Sequence, residues 1–186
     1  MIATSDFRKG VKIEHKGAPH EIIDFQHHKM GRGGAIVRTK LRNLITGSIF
    51  DDSFKGGEKF KVPNLDERSM QYLYNDGEQY HFMDSENYEQ IPLTADQLGD
   101  AKKFLKENMT VQILLYSGSP IAVEVPMFVE LAIVKTDPGV KGDTASGGSK
   151  PAVLESGVSV KVPFHLNEGD IIKIDTRTSE YIERVK

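Results

Sequence analysis

Twelve short apolar runs recur along the chain, and turn-forming residues separate almost all of them. They are Val11 to His15, Glu21 to Phe25, Ala35 to Leu41, Ser48 to Phe50, Lys59 to Val62, Met70 to Tyr74, Tyr80 to Asp84, Val111 to Tyr116, Ile121 to Val125, Val129 to Lys135, Val158 to Val162 and Asp170 to Ile174. Between them stand Lys16-Gly17, Gly31-Arg32-Gly33-Gly34, Asn75-Asp76-Gly77, Ser117-Gly118-Ser119-Pro120 and Asn167-Glu168-Gly169, residues that tolerate the backbone angles of tight turns. Runs this short, at this spacing, read as strands of small barrels or sandwiches. One segment departs from the pattern. Ala95 to Glu107 reads as a helix, with Thr94 and Gln97 as a capping box and Leu98, Ala101 and Leu105 on one face.

The strands could close one large barrel, but prolines at Val62-Pro63-Asn64 and Val125-Pro126-Met127 end strands at nearly regular intervals. The expected organisation is three units of similar size, 1–64, 65–128 and 129–186, each an all-β barrel whose closure removes exposed strand edges. The longest irregular stretch, Thr136 to Pro151, contains four glycines and two prolines, and a loop of that length in a compact barrel usually carries function.

Charge divides unevenly among the three. The net charge of −3 combines a basic first unit, with 12 Lys+Arg against 7 Asp+Glu, an acidic second (4 against 11) and a nearly neutral third (8 against 9). Clustered Lys and Arg release counterions from phosphates, so the first unit is the one suited to a polyanion. The chain has no cysteine, which excludes disulfides, thiol nucleophiles and Cys-ligated zinc. Met1 to Gly10 carries Asp6, Arg8 and Lys9 with no apolar run behind them, so a cytoplasmic protein without signal peptide or membrane anchor is expected.

Two features of the first unit bear on function. Gly31-Arg32-Gly33-Gly34 lies between apolar strands and lacks the Gly-Lys-Ser/Thr ending of a nucleotide-binding loop, so it reads as a hairpin tip that carries Lys29 and Arg32 away from the body. Arg38, Lys40 and Arg42 then alternate with Val37, Thr39 and Leu41, forming a basic stripe on one strand face suited to a nucleic-acid backbone. No metal site is expected, because the adjacent His27 and His28 of a strand point to opposite faces. No carboxylate stands in a catalytic pattern with serine or histidine, so neither an enzyme nor a cofactor is expected.

Longer runs carry a family resemblance. Lys40-Leu41-Arg42-Asn43-Leu44-Ile45-Thr46-Gly47, Tyr80-His81-Phe82-Met83-Asp84, Pro138-Gly139-Val140-Lys141-Gly142-Asp143-Thr144-Ala145, Gly148-Ser149-Lys150-Pro151-Ala152 and Ile174-Asp175-Thr176-Arg177-Thr178 resemble bacterial translation elongation factor P, and the match extends from Ile2 to Lys186. The resemblance implies an SH3-like barrel of the KOW type followed by two OB folds, set in an L of tRNA dimensions. It implies a monomeric factor that binds both ribosomal subunits between the P and E sites, beside P-site peptidyl-tRNA, and relieves stalling at consecutive prolines.

Residue by residue, the resemblance puts the peptidyl-transferase-centre tip at Arg32, shaped by Lys29, Gly31, Gly33 and Gly34. Many relatives have a modified lysine at the tip; in an arginine branch the residue is either rhamnosylated by a glycosyltransferase or works unmodified, and Met30 here replaces a proline common in the lysine branch. Lys141, Gly142, Asp143 and Thr144 correspond to a loop expected near the E-site mRNA codon and the small subunit, and Tyr181 with Arg184 to a C-terminal contact. Two other readings are an elongation-factor-P-like paralogue, whose usual third-domain loop lacks Gly-Asp-Thr, and an OB-fold single-stranded RNA-binding protein. The second would need Tyr72, Tyr74, Tyr80 or Phe82 exposed for base stacking.

Overall fold

The computed structural model describes residues 1–30, 34–139 and 148–185, with backbone only for Lys29 and Met30. Among the described residues sixteen strands carry the fold, and helix is confined to one α-turn, α1 (Ala95–Leu98), and the 3-10 segments Thr4–Asp6 and Gly99–Phe104. The chain is all-β. No described helix is long and apolar enough to cross a membrane. Two compact units contain the fold: Met1–Glu67 with Leu114–Ala122, and Arg68–Ile113 with Val123–Lys186.

In the first unit β2 (Lys12–His15), β3 (Ala18–Met30), β4 (Gly34–Asn43) and β5 (Ile49–Lys55) form an antiparallel sheet in chain order, while β1 (Ile2–Ala3) pairs with β6 (Lys59–Phe60). The sheet curls into a barrel-like form around Phe7, Ile13, Ile22, Val37, Leu41, Phe54 and Phe60. Glu14 N–H of β2 donates to the Lys61 carbonyl next to β6 at 2.9 Å, joining the two sheets, and Thr4 N–H donates to that of Glu58 at 3.0 Å, extending the β1–β6 pairing. A bulge shifts β3 by one residue: Ile22 opposes Leu41, but Asp24 already opposes Lys40. The extra residue, Ile23, resets the alternation, so Ile22 and Phe25 both turn toward the core side.

Strands β7 (Leu65–Asn75), β8 (Gln79–Asp84), β9 (Gln90–Thr94), β10 (Thr110–Tyr116) and β11 (Ser119–Glu124) form a sheet ordered β11-β10-β7-β8-β9. Met70, Tyr72, Phe82, Leu93, Leu98, Val111 and Ile113 fill its core. The tip of the β10–β11 hairpin counts with the first unit, where the Tyr116 hydroxyl donates to Glu14 Oε1 at 3.1 Å.

The last sheet has the order β14-β13-β12-β15-β16, from β12 (Phe128–Thr136), β13 (Ser149–Leu154), β14 (Ser159–Pro163), β15 (Ile171–Asp175) and β16 (Glu180–Arg184). β12 serves two partners, pairing with β15 over 128–132 and with β13 from Ile133 onward, and β14 lies back against β16 to close a second barrel-like form. Leu131, Ile133, Leu154, Val162, Leu166, Ile172 and Ile174 form its core, and Phe104 of the 3-10 segment is inserted among them.

Several expectations change. The helix expected over 95–107 is a single α-turn followed by a 3-10 segment, because Gly99 takes φ 55° and ψ −130°, where the α-helix cannot continue. The capping box does form: Thr94 Oγ1 accepts from Gln97 N–H at 3.3 Å and Gln97 Oε1 accepts from Thr94 N–H at 2.9 Å. The irregular stretch expected from Thr136 to Pro151 is shorter, since β12 includes Thr136 and β13 begins at Ser149. Pro151 fits an interior strand because the β12–β13 ladder ends at Thr136 opposite Ala152, leaving the proline nothing to donate to on that side.

Candidate nucleic-acid interface

β3 and β4 build a long hairpin whose ladder continues to Met30 opposite Gly34. Gly34 has φ 81°, in the left-handed region open to glycine. The expected tip residues Gly31, Arg32 and Gly33 lie outside the described residues, as does the side chain of Lys29. The tip's support is described: Gly56 N–H donates to the Ala35 carbonyl at 2.7 Å, and a Cβ on Gly56 would stand 2.8 Å from that of Ala35.

Arg38, Lys40 and Arg42 all lie exposed on one face of β4, while Val37, Thr39 and Leu41 turn into the barrel and are at most 1% exposed. The alternation read from sequence is therefore the one the strand adopts. The neighbours across the sheet were not legible. Arg42 opposes Glu21, with Nη2 3.3 Å from its carboxylate; Lys40 stands between Asp24 and Asp51; Arg38 stands between Gln26 and Ser53. Asp24 is also paired with Lys9 at 3.2 Å, and that hydrogen bond holds its carboxyl below the usual range. Carboxylates thus flank two of the three cations, and Arg38 alone has uncharged register neighbours. Period-2 alternation reports which face a residue takes, whereas the opposing partner depends on register across a bulge.

His27 and His28 fall on opposite faces of β3, His27 opposing Val37 and His28 opposing Ile36, with the His27 ring edge-on to Phe25 at 5.5 Å. Among the described residues no group of three or more His, Cys, Asp or Glu is arranged to hold a metal.

The residues expected near the small subunit separate into two places. Lys141, Gly142, Asp143 and Thr144 lie outside the described residues. Tyr181 and Arg184 are on β16: Tyr181 packs partly against the last core, and Arg184 Nη2 reaches the Asp170 carboxylate at 3.2 Å. A bulge between Lys173 and Ile174 of β15 leaves Ile182 without an opposite partner, which re-aims the strand between those two residues. Nearby, the Arg177 guanidinium grips Asp175 at 2.7 and 3.1 Å and lowers that carboxyl to about 2.

The aromatic residues of the middle sheet take different positions. Tyr72 and Phe82 are buried, their rings 5.3 Å apart, and Tyr80 is packed against the same core. Tyr74 is 46% exposed and stacks on His81 at 4.6 Å, with His81 Nε2 2.8 Å from Asp76. Hydrogen bonds from the Gln79 N–H, from His81 and from the Glu78 N–H hold the Asp76 carboxyl well below the usual range, so this hairpin tip is an anionic one.

Three family profiles match successive parts of the chain: the elongation factor P KOW-like domain over residues 3–60, the elongation factor P OB domain over 65–123 and the elongation factor P C-terminal domain over 129–184. Relatives named elongation factor P include one from Thermodesulfovibrio yellowstonii, 56% identical with all of both chains covered, and one from Natranaerobius thermophilus, 57% identical over all of this chain and 99% of its own. Among solved structures, translation initiation factor 5A from Methanococcus jannaschii superimposes with a TM-score of 0.55 at 22% identity, covering 64% of this chain and 88% of its own. An initiation factor 5A family protein from Naegleria fowleri gives 0.54 at 17% identity, covering 67% and 96%. Those two likenesses are of fold. The profile matches and the end-to-end identity of the relatives carry more: the chain belongs to the elongation factor P family of translation elongation factors.

Proposed function

We propose that this factor binds the ribosome between the P and E sites, beside P-site peptidyl-tRNA, and stimulates peptide bond formation at consecutive prolines. The observation that carries this reading is the identity of more than half the residues, over the whole length, with proteins named elongation factor P. The long β3–β4 hairpin supports it, because a stalk paired up to Met30 and Gly34 leaves only three residues to join its strands, and a short glycine-rich link lets one cationic side chain enter a crowded site. Proline's ring fixes φ and restrains the nascent chain, so orienting the peptidyl-tRNA lowers an entropic barrier without supplying acid, base or nucleophile. The chemistry stays with the ribosome.

In this reading Arg32 is the tip residue and marks the arginine branch, bare or carrying a sugar from a glycosyltransferase. Arg38, Lys40 and Arg42 follow an RNA backbone, Lys141 to Thr144 meet the E-site codon or the small subunit, and Tyr181 with Arg184 make a C-terminal contact. The factor works in the cytoplasm as a monomer of three domains, 1–64, 65–128 and 129–186, a division supported by the three hydrophobic cores. Arg32→Ala tests the central assignment. It should change stability by about 0.5 kcal/mol or less, as at an exposed turn, while synthesis across three prolines returns to the rate without factor. A variant as active as the native protein would refute the tip assignment.

A further inference from the structure

The described residues that flank 140–147, Thr136–Gly139 on one side and Gly148–Pro151 on the other, form a neck held at successive levels. At its base the Thr136 hydroxyl donates to the Pro151 carbonyl at 2.9 Å, and Thr136 N–H donates to Glu168 Oε1 at 3.3 Å. One residue further, Lys150 Nζ donates to the Asp137 carbonyl at 2.6 Å. Beyond that, Phe164 stands against both strands of the neck: a Cβ on Gly139 would come within 2.6 Å of the Phe164 carbonyl, and one on Gly148 would fall on the Phe164 ring. Neither glycine has a left-handed φ, so what excludes a side chain is the close approach of Phe164.

Lys150 is the unusual member. It is 4% exposed, and a buried ammonium is costly unless its donors find acceptors. Its acceptor is a backbone carbonyl on the opposite side of the neck, not a carboxylate, and an aliphatic residue would fill the same position without the cost. A lysine there gains a tie that no apolar residue supplies.

We propose that Lys150 and Phe164 are positioning residues: they clamp Asp137–Gly139 to Gly148–Lys150, so that the ends of the intervening segment are already in place when it meets its ribosomal partner. Fixing both ends beforehand reduces the conformational freedom lost on binding, which strengthens association without touching the reacting groups. The proposal rests on the reading of Lys141 to Thr144 as a ribosome contact.

The test uses the full-length protein with Lys150→Met, Gly148→Ala, Phe164→Ala and Asp143→Ala. Amide hydrogen exchange reads the clamp directly: Lys150→Met should speed exchange at residues 149–153 about tenfold while 171–175 keep the native rate. Gly148→Ala should damage the neck in the native background and be nearly neutral when combined with Phe164→Ala, the non-additivity expected of two groups competing for one space. Peptide synthesis across a proline stall, followed at rising factor concentration, then reads positioning. Lys150→Met should raise the half-saturating concentration several-fold and leave the plateau at the native rate, the signature of lost binding that is uniform along the reaction. Exchange at 149–153 within twofold of native in Lys150→Met would overturn the clamp. Faster exchange with an unchanged half-saturation, while Asp143→Ala raises it, would show that the clamp only stabilises the barrel and overturn the positioning role. If Asp143→Ala also has no effect, the reading of 141–144 fails, and the positioning role with it, while the exchange result still decides whether the neck is clamped.

Discussion

Arg38, Lys40 and Arg42 share a strand face, but their availability to a polyanion differs, because Glu21, Asp24 and Asp51 stand across from two of them and not from Arg38. A cation already paired with a carboxylate releases fewer counterions when it meets a phosphate. Arg38→Gln should therefore reduce the salt slope of ribosome binding by roughly 0.7 to 0.9, and Arg42→Gln should reduce it less. Binding measured from low to physiological salt checks the ranking; equal slopes for the native chain and all three Gln variants would return the stripe to an ordinary solvated surface. His20 predicts a pH effect. It is 2% exposed, and its Nδ1 lies 3.0 Å from the Ala18 carbonyl, which can only accept, so Nδ1 carries the proton. Burial lowers its pKa, the Ala18 carbonyl partly opposes this, and His15 and Lys16 add to the lowering. The unfolded chain therefore binds the proton first. Stability should be complete above about pH 6.5 and fall as the pH drops toward the lower folded value, before the paired carboxylates titrate. Melting temperatures between pH 7.5 and 5.5 should decline in the native chain and decline less in His20→Gln.

At the scale of elements, strands with alternating or wholly apolar runs were legible, and those rich in charge or proline were not. β5 contains Asp51-Asp52, yet it extends to Lys55 because Phe50 and Phe54 pack toward the core and Asp52 is held by His15 at 2.9 Å and Lys16 at 3.1 Å. β9 contains Pro92, tolerated at the sheet's edge, and β16 is mostly charged and exposed, held by pairing with β15. The expected helix fails for the opposite reason: an apolar period persists through Leu98, Ala101 and Leu105, and all three are buried, but Gly99 redirects the backbone between them. Because Gly99 has φ 55°, Gly99→Ala should destabilise the protein by about 1–2 kcal/mol, read as a lower denaturant midpoint with an unchanged slope. A neutral result would mean that the 3-10 segment tolerates a different turn.

At the scale of the molecule, the last two cores are joined. Phe104 follows α1 of the middle part yet sits in the last core at 2% exposure, Met109 and Val125 pack against both cores, and the Ser156 hydroxyl donates to the Lys103 carbonyl. Lys106 pairs with Glu155 at 3.1 Å, and the same Glu155 oxygen accepts from Ala132 N–H at 2.9 Å. Residues 68–113 and 123–186 should accordingly unfold in one transition, seen alike from the middle and last cores. Phe104→Ala should cost about 3–5 kcal/mol. Denaturant unfolding followed by nuclear magnetic resonance at Phe82 and Ile172 checks this, and native stability of one core after the substitution would show that the two are independent.

The strand-and-turn pattern, the absence of thiol chemistry, the basic face of β4 and the family were determined by the sequence alone, because each depends on local spacing or on long runs of matching residues. Tertiary structure decided which cations are neutralised, where the expected helix breaks, that Phe104 serves the core of the following barrel, and that Lys150 and Phe164 tie the neck of the 140–147 segment. The helix break is a local backbone choice at Gly99, which the apolar period running through it does not report; the others depend on contacts between residues far apart in the chain, set by a β-bulge, by register and by packing, and no single stretch of sequence encodes such contacts.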